Sequence, residues 1–244
     1  MDTKKVRVGV IFGGKSAEHD VSLQSAMNVI NAIDRMHYEV VEIKIERDGS
    51  WDMSLLKVID VAFPMIHGTL GEDGSLQGLL EFFELPYVGA GVLGSAVAMD
   101  KDMSKRLFRE ASLPVARCDV FHKGDNVKNA FSWPVFVKPA NLGSSVGISK
   151  AQNQEEFDAS VQLAFSYDTK IIIEEFVEGR EIDCAVIGNE EMRASELAEI
   201  KTERDFYDYQ AKYLDDTTKI IIPASVSIEI ANQIKKLSIK ACKT

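Results

Sequence analysis

Two stretches of this chain set lysine or glutamate beside glycine in a way that suits phosphate and nucleotide chemistry. "FVKPANLGSSVG" (residues 136–147) delivers Lys138 on an apolar run, ends that run at Pro139 and continues into Gly143, Ser144, Ser145 and Gly147. Such a loop can close over phosphates, offering amides and hydroxyls with a lysine charge beside them. "IIIEEFVEGRE" (residues 171–181) arranges Glu174, Glu175, Glu178 and Glu181 around Phe176 and Val177. The apolar pair suits the face of a flat base, and the carboxylates can accept from an amino group or from ribose hydroxyls. Taken alone, the first stretch reads equally as a surface hairpin and the second as an edge strand with solvated acids.

Two further stretches have different chemistry. "HGTLGEDGSLQG" (residues 67–78) places four glycines in twelve residues, with His67 at the end of an apolar run, where it can face a ligand, and Ser75 as the expected helix N-cap. "GVIFGGKS" (residues 9–16) fits the phosphate-loop pattern G-x-x-x-x-G-K-[ST] letter for letter. A phosphate loop opens only after its strand has ended. Here the residues between the glycines are Val10, Ile11, Phe12 and Gly13, and the three bulky ones call for burial in a sheet whose ladder uses their amides. Glu18 and Asp20 follow closely and repel phosphate. A glycine turn at the carboxyl end of a strand is the better reading, and there Glu18 suits an ammonium group or simply a helix start. Lys101 and Lys105, in "MDKDMSKRLFREAS", read individually as solvated. "DFYDYQAKYLDD" (residues 205–216) interleaves aromatics and charges with little periodicity, as a covering loop does.

The elements that must position these residues alternate. "VRVGVIF", "EVVEIKI" and "VIDVAFPMI" read as strands, with a helical apolar period at Ala26, Val29, Ile30 and Ile33 and a second helix over "SLQGLLEFFEL". That order predicts an α/β lobe over residues 1–91 with a mainly parallel sheet covered on both faces. Residues 92–178 read as a smaller α+β lobe: one charged helix over "MDKDMSKRLFREAS", strands at "RCDVF", "PVFVK" and "KIIIEEFV", and a helix over 154–165. Gly179 marks the turn into a third lobe, 179–244, with "KIIIPA" and a closing helix from Ser227; "IKKLSIKACKT" reads as a helix interior without a C-cap.

The chain has 244 residues, 45% of them hydrophobic, and a net charge of −10, which argues against general affinity for nucleic acid or an anionic membrane. No apolar stretch is long enough for a membrane span, so the cytoplasm is expected. Three widely spaced cysteines without C-x-x-C spacing predict buried, reduced thiols.

In order, "GGKSAEHDVS", "HGTLGEDGSLQG", "MDK", "VKPANLGSSVG", "IEEFVEGRE" and "FYDYQAKY" resemble the D-alanine-D-alanine ligases of the ATP-grasp superfamily, from about residue 6 to the end. The resemblance implies an N-terminal substrate lobe followed by an ATP-grasp fold, with ATP and Mg²⁺ as cofactors, D-alanine as substrate and a homodimer. It places Glu18 on the ammonium of the first D-alanine and His67 near its carboxylate, with Ser144 and Tyr213 joining Glu18 in one hydrogen-bonded set. Lys101, Lys138, Lys212 and Ser145 would face ATP phosphates, Glu174 and Val177 the adenine edge, Phe176 its face, and Glu181 the ribose. Lys212-Tyr213 resembles ligases that take D-alanine as second substrate rather than D-lactate. The family's C-terminal lobe adds an arginine, acidic residues and an E-x-N metal motif. No E-x-N occurs here, so no metal ligand is expected within the chain, which reads as an incomplete C-terminal lobe and either a piece of an active ligase or an inactive binding remnant.

Overall fold

The computed structural model describes residues 4–202 and 218–244. Two compact units emerge from its packing: Met1–Asp100 with Leu142–Ser144, and Lys101–Asn141 with Ser145–Thr244.

The first unit is built on three parallel strands, β1 (Val6–Gly13), β2 (Tyr38–Ile45) and β3 (Val61–Pro64), in the order β2-β1-β3. The central strand is buried from Val8 to Gly13, and its alternation divides the core. Val8, Val10 and Phe12 pack with Ala26 and Ile30 of helix α1 (His19–Ala32). On the other face, Ile11 joins Ile43 and Ala62 with Leu76 and Leu80 of helix α2 (Ser75–Phe82). Both faces of a parallel sheet are therefore covered, as the near-continuous apolar runs require.

The carboxyl ends of the strands are fixed by glycine geometry and by one hydroxyl. Gly13 has φ +90°, and a Cβ there would stand 2.2 Å from the Ile45 carbonyl oxygen. Ser22 Oγ accepts from the Gly13 amide at 2.7 Å and donates to the Met65 carbonyl at 2.6 Å. At Gly14, also left-handed at φ +96°, the nearest atom to an added Cβ is the Ile66 methyl at 3.2 Å. Gly13→Ala is therefore expected to destabilise the fold by roughly 2–4 kcal/mol and Gly14→Ala by about half as much, since only the first adds a backbone clash to the conformational strain. Urea unfolding midpoints of the two variants measure the difference.

Two local expectations are corrected. Ser75 is the first helical residue rather than the N-cap: Gly74 caps α2 at φ +91°, where an added Cβ would meet the Val92 carbonyl oxygen at 2.8 Å, and Asp73 takes the Ser75 amide. The charged helix expected over residues 99–112 is present as Lys101–Glu110 (α4), but a further helix, α3 (Val92–Met99), precedes it, and Asp100 with an extended ψ of 104° separates the two.

In the second unit, β4 (Cys118–His122), β5 (Val135–Pro139), β6 (Ser149–Ala151) and β7 (Lys170–Glu175) form an antiparallel sheet in the order β4-β7-β5-β6. Helix α5 (Gln154–Tyr167) is capped by the Asn153 side chain and lays Phe157 and Ala164 on Val135, Val137, Ile171 and Ile173. Beyond it, β8 (Glu181–Asp183) belongs to a sheet of order β12-β11-β8, and β9 (Val186–Ile187) pairs with β10 (Arg193–Ala194). The remaining strands of the three-stranded sheet are β11 (Ala198–Lys201) and β12 (Lys219–Ile221). The closing helix α6 (Ile228–Lys243) starts where expected, with Ser227 Oγ accepting from the Ile230 amide at 3.3 Å. The three cysteines are free; Cys118 and Cys184 are partly buried, but Cys242 is exposed, against the expectation of burial. No helix among the described residues is long and apolar enough to cross a membrane.

Candidate functional site

In the first unit, the turn after β1 and the loop after β3 bring Glu18 and His67 to the carboxyl end of the sheet, the usual place for ligands in open α/β folds. Glu18 is the N-cap residue of α1, yet its carboxylate makes no capping bond. It is 4% exposed and accepts a hydrogen bond from Ser144 Oγ. Its Oε2 lies where a side chain on Gly68 would stand, which, with φ +73°, restricts that position to glycine. Among the described residues no cation pairs with Glu18. Ser144 itself sits at φ +47° and Ser145 at φ +61°. The loop is thus wound left-handed at two successive non-glycine residues, a strain that clusters at ligand sites.

His67 is half-buried, with Nε2 3.0 Å from Ser25 Oγ and Nδ1 3.7 Å from Glu72 Oε1, an ion-pair distance longer than a hydrogen bond. Glu72 is anchored by the Gly68 amide at 2.8 Å. Glu72 and then Glu18 raise the His67 pKa above its ordinary value of 6.5, against the opposing effect of burial. The stability from this pairing is therefore fully present below pH 6.5 and is lost as pH rises through the folded-state pKa. The His67 ring is expected to titrate above 6.5 in wild type and lower in Glu72→Gln, as measured by NMR of its ring nitrogens. Ser16 Oγ completes the set by donating to the His67 carbonyl at 2.8 Å while accepting from the Glu18 amide.

Sequence reading picked out Glu18, His67 and Ser144, which the fold brings together, but missed Ser16, Ser25 and Glu72. The signal for Ser25 was present: Glu18, Ser22 and Ser25 recur at helical spacing and share a face.

The second unit holds a separate cluster of charge. Cross-strand register places Phe136 of β5 opposite Glu174 of β7. The Glu174 carboxylate, 7% exposed, is paired with both Lys138 and Lys105. Burial pushes Glu174 up, but Lys138 and Lys105 outweigh it and hold the carboxyl below its ordinary range. Lys105, expected to be solvated, has a side chain 14% exposed and also donates to the Ala116 carbonyl at 3.1 Å. It was missed because one helix-face lysine looks like another until a strand supplies the buried partner. The Lys101 amide donates to the Ala140 carbonyl at 2.9 Å, which ties the start of α4 to the glycine loop. Phe176 and Phe136 lie 6.1 Å apart, with Lys138 over the ring of Phe136 and Lys150 over that of Phe176. Val177 and Glu181 are exposed. Lys212 and Tyr213 lie outside the described residues.

The phosphate-loop pattern at residues 9–16 does not make a phosphate site. Val10, Ile11 and Phe12 are buried within β1 between two parallel neighbours, the Gly13 amide is taken by Ser22, and the Gly14 amide by the Ile45 carbonyl at 2.9 Å. Among the described residues no group of three or more His, Cys, Asp or Glu could hold a metal ion. These residues do not fit the Mg²⁺ that the resemblance implies.

Sequence profiles described as "D-ala D-ala ligase N-terminus" and "D-ala D-ala ligase C-terminus" match residues 7–58 and 52–90, and residues 104–244. D-alanine--D-alanine ligase A of Escherichia coli K12 is 40% identical over 291 aligned positions, covering 99% of this chain and 80% of the relative. Among solved structures, the VanG D-Ala:D-Ser ligase of Enterococcus faecalis superposes with a TM-score of 0.86 at 32% identity, covering 98% of this chain and 82% of that one. A Bacillus anthracis D-alanine--D-alanine ligase complexed with ATP gives 0.80 at 27% identity, covering 98% and 77%. These matches run the length of the chain and through both clusters, and the chain belongs to the D-alanine-D-alanine ligase family, with an α/β substrate lobe followed by an ATP-grasp fold.

Proposed function

We propose that this chain carries out ATP-dependent ligation of two D-alanines for peptidoglycan precursor synthesis in the cytoplasm, as a homodimer. The observation that carries this reading is Glu18, a buried carboxylate that no lysine or arginine pairs among the described residues, with only the His67 ring near enough to feel its charge. A buried charge left unpaired costs several kcal/mol, and the ammonium of an amino acid supplies the missing partner. Ser144 holds one carboxylate oxygen and leaves the other for the ligand. His67, whose pKa Glu72 and Glu18 raise, offers its ring, when protonated, to the carboxylate of the same amino acid.

ATP phosphorylates that carboxylate and leaves as ADP, which converts a poor electrophile into an acyl phosphate; the neutral amine of the second D-alanine then attacks the acyl carbon, the C–O bond to phosphate breaks, and inorganic phosphate and the amine's proton leave as the dipeptide forms. Lys138 and Lys101 are assigned to the phosphates, where fixed cations stabilise charge that develops on the transferring group. Ser145 is assigned to the same phosphates, Phe176 and Val177 to the faces and edge of adenine, Glu174 to its amino group and Glu181 to the ribose. Lys212 is assigned to the phosphates and Tyr213 to the Glu18–Ser144 set.

ADP release by the purified chain should depend on D-alanine. Release that is absent with D-alanine, while MgATP still binds, refutes ligation by this chain. The likeness to VanG supports a second reading, in which D-serine is the second substrate. Competition between D-alanine and D-serine, read as the dipeptide formed, separates the two.

A further inference from the structure

Lys15, the lysine of the discarded phosphate-loop pattern, has no part in either cluster above. It lies at the edge of a cavity of about 270 Å³ that opens at the carboxyl ends of the first unit's strands. Ile45 follows from β2, Gly14 from β1 and Ile66 from β3, while Leu76 and Leu79 of α2 and the ring of Trp51 complete an apolar wall. Glu18, His67 and Ser144 do not line it, so the cavity is distinct from the candidate amino-acid site. Lys15 is its one charged lining group. The stem of Lys15 lies over Gly49, where an added Cβ would fall 2.2 Å from Cε. The ammonium makes no hydrogen bond or ion pair among the described residues. Asp48 feels its charge but spends its own oxygen on the Ser50 amide and hydroxyl, at 2.8 and 2.6 Å.

An apolar cavity of roughly 150 Å³ already accepts a benzene ring. This one is larger and adds a cation at its mouth. An alignment of 291 positions exceeds the 244 residues of the chain, so the Escherichia coli ligase carries residues that this chain lacks. The N-terminal profile matches in two pieces that overlap at residues 52–58, next to Trp51.

We propose that this cavity is a second binding site, for a small carboxylic acid with an apolar body, whose carboxylate meets Lys15 and whose ring or branched chain lies against Trp51, Ile66 and Leu79. Phosphate and other bare anions are poorer occupants, because beyond Lys15 the side-chain donors in the lining are the two hydroxyls of Thr69 and Ser75 and the Trp51 indole, too few to replace a full hydration shell, while the rest of the wall is apolar.

The chain has two tryptophans, so in a Trp133→Phe background the emission reports Trp51 alone. Phenylacetate is expected to change that emission saturably, and inorganic phosphate to leave it unchanged. Adding Lys15→Met, which keeps the apolar stem, should weaken phenylacetate about tenfold while leaving neutral phenylacetamide within twofold. A circular dichroism spectrum equal to wild type shows that the variant is folded. The proposal is overturned if phenylacetate gives no saturable change, if Lys15→Met binds it as tightly as the parent, or if phosphate produces the same response.

Discussion

Glu18→Gln should lower kcat/KM for D-alanine by about 10²–10³-fold, the cost of removing one partner from a buried, hydrogen-bonded charge pair. Glutamine keeps the shape, and its carbonyl oxygen can still accept from Ser144 Oγ, so only the charge is lost. The accompanying change in stability distinguishes a ligand role from a packing role. With no lysine or arginine paired to it among the described residues, the buried carboxylate weakens the empty fold, and above the His67 pKa the amide should leave the melting temperature unchanged or raise it. Initial rates of ADP release across D-alanine concentrations, with a thermal melt of each protein, measure both. A fall of less than about threefold, or a melting temperature clearly lower, would remove Glu18 from the site.

The second large effect is expected at Lys138. Lys138→Met should reduce turnover by about 10²–10³-fold, as removal of a fixed charge-stabilising group does, whereas Lys15→Ala should stay within about threefold. The fold should survive, because Lys105 still neutralises Glu174. Lys105→Met gives the complementary result. Glu174 is held below its ordinary value of 4.5, so the stability it supplies is present above that pH and is lost as pH falls through the lower folded-state pKa. Without Lys105, that contribution should be smaller and its loss complete nearer 4.5 on acid titration followed by circular dichroism, while more turnover is retained than in Lys138→Met. If Lys15→Ala abolishes ATP binding and Lys138→Met spares it, the two lysines have been given each other's roles.

Strand positions were legible because burial on both faces writes itself as unbroken apolar runs: "VRVGVIF" became β1 with one residue added. The same rule exposed the false phosphate loop, since amides inside a strand are already spent. Glycine punctuation placed the turn at residues 13–14 and the loop at 143–147. What stayed hidden were partners supplied from far along the chain. Ser75 looks like an N-cap until Gly74 is seen beneath the Val92 carbonyl. Lys105 looks solvated until β7 brings Glu174 to it, and Glu72 looks like one more loop acid until it faces His67. Tertiary pairing decides each of these, and local pattern carries no record of it.

Ser22 gives the first unit an unusual tolerance map. Its single hydroxyl accepts a hydrogen bond from the amide at the end of β1 and donates one to the carbonyl of the residue after β3. The turns that carry Glu18 and His67 hang from those two points, so the gap between the carboxylate and the imidazole is dimensioned by the start of a helix and not by the loops that carry them. Random mutagenesis should therefore find Ala17 and Thr69 forgiving, while a small-to-small exchange at Ser22 detunes a site it never touches.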